Sequence, residues 1–100
     1  MSENVSPLDP SVVLARRPAP VVEWVEIEGE AVAWNAEDGA LHRLDPIATL
    51  VFQLCDGTAT LGRTVADLAD AFGQPAHQLE GDVLGCAGRL LHGGLLEVRS

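Results

Sequence analysis

From Val21 to Leu44 apolar and polar positions alternate with period two. Val22 and Trp24 fall on one face and Val25 and Ile27 on the other, with Glu23, Glu26 and Glu28 between them. Successive side chains of a strand point to opposite sides, so this alternation predicts a strand. Gly29 marks a tight reversal, and Glu30 to Asn35 follows as a second strand. Glu37-Asp38-Gly39 is a turn signal, because Asp-Gly suits positive φ. Ala40 to Leu44 is then a short third strand, and the three predict an antiparallel meander.

After Leu44 the period becomes 3.6. Asp45-Pro46 supplies an N-cap and a proline at the first helical position. Ile47, Leu50, Val51 and Leu54 predict one apolar stripe, closed by Asp56-Gly57. A second helix is expected near Thr64, its hydroxyl capping the amide of Asp67 and Val65, Leu68, Ala69 and Phe72 facing inward. Gly73 ends it as the C′ residue. A third helix opens around Pro75 and carries Leu79, Val83, Cys86 or Ala87, Leu90 and Leu91. Gly93-Gly94 stops it, and Leu95 to Val98 returns as a short extended tail. Gly81, Gly85 and Gly88 lie at i, i+4 and i+7 of this helix, each costing up to about 1 kcal/mol relative to Ala. A face so lined is expected to admit another backbone closely, or to serve helix-to-sheet packing.

Residues 1 to 20 are polar and interrupted by Pro7, Pro10, Pro18 and Pro20. They are expected to form a flexible N-terminal arm, disordered over the first ten residues and extended from Ser11 to Pro20. Within it Val12-Val13-Leu14 reads either as a short strand or as a cover for another surface. Residues 21 to 100 are expected to be the folded domain. The predicted class is α+β and winged-helix-like: a three-stranded antiparallel sheet, three helices and a short terminal strand.

One hundred residues suffice for one domain, which buries roughly two-thirds of its unfolded surface. Fifteen acidic residues against six arginines, with no lysine, give a formal net charge of −9. Phosphate neutralisation needs clustered cations, so nucleic acid is an unsuitable partner. No apolar run approaches the roughly 20 residues of a membrane span, and the N-terminus lacks the regions of a signal peptide. Cys55 and Cys86 are too few for a secreted disulfide framework, so the cytoplasm is the expected compartment.

The residues of an enzyme's constellation are missing from the pattern. His42, His77 and His92 are scattered without metal-ligand spacing, and no metal or cofactor is expected. Both cysteines sit on apolar helix stripes without an adjacent basic residue to activate them. Trp24 and Trp34, on neighbouring strands, are expected to stack across them or to fill the core. The chain does not read as an enzyme.

Leu41-His-Arg-Leu-Asp-Pro through Leu54-Cys-Asp-Gly, then Thr64-Val-Ala-Asp-Leu, Asp82-Val and Gly94-Leu-Leu, form a recognisable series. In order and spacing it resembles the PqqD family, small peptide chaperones also called RiPP precursor recognition elements. Leu44-Asp45 stands where Leu-Asn is usual, and either residue caps a helix. The resemblance covers about residues 21 to 98. It implies a protein that holds the leader of a ribosomally made precursor peptide and presents it to a modifying enzyme, often a radical SAM maturase. It implies that the leader adds as a strand beside Ala40, Leu41, His42, Arg43 and Leu44. The third helix then contributes Leu79, Asp82, Val83 and Cys86. Free amides on a short edge strand suit such β-augmentation. The charge of −9 favours a neutral or basic leader, or a basic docking patch on the enzyme, although acidity also keeps a small domain soluble. Two other readings are a winged-helix DNA-binding regulator and a structural subunit of an enzyme complex. Against the regulator, the third helix sets Arg89 against Glu80 and Asp82, the wrong sign for a phosphate backbone.

Overall fold

The computed structural model describes residues 8–99. The alternating segment forms β2 (Val22–Ile27), β3 (Glu30–Asn35) and β4 (Ala40–Arg43), an antiparallel sheet in the order β2-β3-β4. Ile27 faces Glu30, and Glu28 and Gly29 both have positive φ, as a type I′ hairpin requires. The register sets Trp24 opposite Ala33, but Trp34 opposite Glu23 and Leu41. The two indoles therefore lie on opposite faces and do not stack on each other. Trp24 instead meets Phe52 edge to face, ring centroids 5.2 Å apart.

The helices are α1 (Pro46–Leu54), α2 (Leu61–Phe72) and α3 (Ala76–His92). Asp45 caps α1 by accepting the amide of Ala48. The buried face of α1 is Thr49, Val51 and Phe52, while Ile47 is exposed, so the stripe is rotated from the expected one. The second helix starts three residues before Thr64: Thr60 is its cap, accepting the amide of Arg63. Leu61 already belongs to the core, and its burial carries the helix start with it. Thr64 is buried within the first turns and Phe72, in the last, is exposed. Gly73 takes the expected left-handed conformation. On α3, Gly81 and Gly85 face outward, and Gly88 meets only the Leu8 side chain, so no described backbone approaches the glycine face.

A second sheet accompanies the first. β5 (Asp56–Thr60), β1 (Val13–Arg16) and β6 (Leu96–Val98) pair antiparallel in the order β5-β1-β6. The expected arm is thus a central strand over Val13–Arg16, with Leu14 and Ala15 buried. Leu8 is buried as well, and the expected disorder of the residues before it lies outside the described residues. Arg16 explains part of this docking: its guanidinium donates to the carbonyls of Phe52 (3.1 Å) and Gln53 (2.6 Å) and lies 5.9 Å from the Trp24 and Phe52 rings. α1 has no basic residue in its last turn, and Arg16 supplies one from β1. The core between sheets and helices holds Phe52, Leu14, Leu61, Leu95, Leu96 and Val83. Each such side chain contributes about 1.5–3 kcal/mol through burial. No helix among the described residues is long and apolar enough to cross a membrane.

Candidate peptide-binding groove

β4 ends its sheet, so among the described residues one side of its backbone has no strand partner. The amide of Leu44 donates to Ala31 at 2.8 Å, and bonded pairs alternate along an antiparallel ladder. His42 is therefore in a bonded pair with Ala33, while the N–H and C=O groups of Leu41 and Arg43 point to the open side. Side chains alternate the other way: Ala40 and His42 point inward with Ala33 and Asn35, and Leu41 and Arg43 point outward with Trp34 and Val32. Two side-chain anchors hold this strand over the helices. Thr49 accepts the amide of Ala31 at 2.8 Å and donates to the carbonyl of Leu44 at 3.2 Å. Asn35, buried, accepts the amide of Glu37 and donates to the carbonyl of Gly93 at the end of α3.

Between β4 and α3 runs a groove of about 380 Å³. It brings together Leu41, His42, Arg43 and Leu44 with Cys86, and adds Asp45, Ala48, Arg89 and Leu90. His42 packs against the end of α3, where a Cβ on Gly93 would lie 3.0 Å from its ring. Its Nε2 is buried with no hydrogen-bond partner among the described residues. The other expected α3 residues lie elsewhere: Leu79 is half-buried, Asp82 exposed, and Val83, only 1% exposed, belongs to the core. Ala40 is half-buried outside the groove lining. Sequence reasoning missed Arg89 and Leu90 as groove residues. They follow Cys86 by three and four positions, a spacing that places all three on one helical stripe.

Burial governs the two thiols. It pushes Cys55 up to about 11 and also raises Cys86, so neither is poised as a nucleophile at neutral pH. No cluster of three or more His, Cys, Asp or Glu among the described residues is arranged to hold a metal ion. A larger cleft, about 510 Å³, lies by Arg16, Arg17, Arg99 and Trp24. Its cations are engaged: Arg16 on the α1 carbonyls, Arg17 on Glu37 at 2.8 Å and Arg99 on Glu97 at 3.2 Å. The Arg17 guanidinium holds the Glu37 carboxyl below its ordinary value. The β4 groove differs in offering unpaired backbone beside a hollow.

The family model described as coenzyme PQQ synthesis protein D (PqqD) matches residues 30–96, more than half of the chain. The chain belongs to the PqqD family. The match begins at β3 and ends at the start of β6, so it spans the groove and leaves β1 and β2 outside. Among solved structures, TbiB1 in complex with the TbiA(beta) leader peptide superposes with a TM-score of 0.70 at 19% identity. That similarity covers 79% of this chain and 92% of TbiB1, and it shows a shared fold. No curated protein matches the chain in sequence. Within a PqqD-family chain, the stretch from Leu41 to Asp45 that carries the sequence resemblance also forms one wall of the groove.

Proposed function

We propose that this PqqD-family chain is a non-catalytic adaptor that binds the leader of a ribosomally made precursor peptide and presents it to a modifying enzyme. The enzyme is of the radical SAM maturase kind or another peptide-modifying class, and the compartment is the cytoplasm. The observation that carries the reading is the open edge of β4 above the α3 groove. An extended peptide there meets the outward amides and carbonyls of Leu41 and Arg43, and its alternate side chains enter the hollow by His42, Cys86, Arg89 and Leu90. Leu44 and Val83 support the walls from the core, and Leu79 and Asp82, two turns and one turn before Cys86, continue its helical stripe beyond the groove lining. TbiB1, of the same fold, is a protein solved with a leader peptide, which favours a peptide as the occupant.

The test is titration of a fluorescent leader encoded beside this chain, with amide hydrogen exchange on the same samples. Saturable binding at about micromolar concentration or below, about −8 kcal/mol or better, is expected. Protection should appear at Leu41 and Arg43. Saturable binding with no protection along β4 would place the peptide elsewhere, and no saturation would end the adaptor reading.

A further inference from the structure

The sheet β2-β3-β4 has a second face, turned away from the helices, and it is apolar. Register places Glu23, Trp34 and Leu41 in one row across it, then Val25, Val32 and Arg43, then Ile27 and Glu30. Val25 is 55% exposed, Ile27 58%, Trp34 44% and Leu41 63%, with Val32 half-buried among them. These residues line two adjoining hollows of about 270 and 350 Å³ that share Val32. Soluble monomers seldom leave so continuous an apolar face to water without a use for it. Its rim is acidic: Glu23, Glu28 and Glu30 surround it against Arg43 alone, which sits 3.5 Å from Glu30.

We infer that this outer face docks a protein partner whose contact surface has an apolar centre framed by Lys and Arg. Resting on the adaptor reading above, that partner is the modifying enzyme. The charge argues for a different protein over a second copy. A twofold pair would set the acidic rims against each other between chains that each carry −9, whereas a basic frame complements the rim. The position also fits presentation. A leader strand added at β4 would widen this sheet by one strand, and its outward side chains would continue the row of Leu41 and Arg43. The enzyme would then read adaptor and leader as one surface.

The experiment uses the full chain, the fluorescent leader and the purified modifying enzyme encoded beside this chain. Val25→Lys with Ile27→Lys removes apolar area and adds repulsion toward a basic frame. Both positions are exposed on an edge strand, where lysine is well tolerated, and circular dichroism confirms the fold. Leader affinity should match wild type, while affinity for the enzyme falls at least about tenfold. Glu23→Gln with Glu30→Gln should weaken enzyme binding and flatten its salt dependence. Enzyme binding by folded Val25→Lys/Ile27→Lys at wild-type strength overturns the inference. So does a wild-type dimer, by light scattering, that the same pair dissociates. A wild type that fails to bind leader counts against the adaptor reading alone, because the enzyme arm still decides the face.

Discussion

Thr49 shows what one buried hydroxyl does in this fold. It sits on a helix among apolar residues, 1% exposed, and bridges the amide of Ala31 and the carbonyl of Leu44. Ala31 is itself fully buried, so its N–H has no water to turn to. Thr49→Val keeps the shape and deletes the acceptor. It should cost about 1–3 kcal/mol, read as a lower denaturation midpoint with an unchanged denaturant slope. A shift within error would mean that Ala31 finds another partner. The sequence does not announce this role, since a threonine between apolar positions reads as one that merely interrupts the stripe. Val83 illustrates the opposite difficulty. Its helical spacing shows that it faces inward, but spacing alone does not separate a groove wall from the core one turn behind it.

At the scale of elements, β2, β3, β4 and α1 follow from local chemistry: alternation, a Glu28-Gly29 reversal, and the Asp45-Pro46 start. β5 does not. Asp-Gly-Thr-Ala-Thr has no apolar alternation, and it becomes a strand because β1, some forty positions earlier, pairs with it. Thr60 and Thr64 compete as caps, and the nearby burial of Leu61 decides between them. For β4 the ladder makes a prediction about backbone alone. Leu41→Pro and Arg43→Pro remove amides that face the open edge, so they should leave a folded protein that binds leader at least about tenfold more weakly. His42→Pro removes an amide facing β3 and should disrupt the sheet, as circular dichroism would reveal. His42→Ala should cost less binding than either edge proline. Equal behaviour of all three proline variants would contradict the alternation.

Across the whole molecule, the candidate groove was legible in part because β4 carries it within one continuous stretch, Leu41 to Asp45. The outer apolar face was hidden for a different reason: alternation shows that Val22 and Val25 differ in side, and only the tertiary fold shows which side is covered. Global unfolding is what releases the buried thiols. Neither Cys55 nor Cys86 should alkylate in the native protein at about pH 8, and both should react once denaturant unfolds it. For Cys55 the folded thiol titrates at about 11, above its ordinary 9.0, so the unfolded chain loses its proton first. The stability that burial of this neutral thiol allows is complete below the unfolded value and declines as pH rises from there through about 11. Midpoints of denaturation measured across that window should fall. Rapid native alkylation would show that the core opens locally.

The second sheet sets the first and last strands of the described chain side by side. β1 and β6 are neighbours, and the amide of Arg99 donates to the carbonyl of Val13 at 2.7 Å. The first strand and the last therefore share one edge-to-edge contact, with only residues 8–12 of the described chain leading into it. A unit wired this way can be spliced into a surface loop of a larger protein by two adjacent joints. It can equally be circularly permuted, its old ends bridged and new ones cut at the Glu28-Gly29 hairpin, with β1 still lying between β5 and β6.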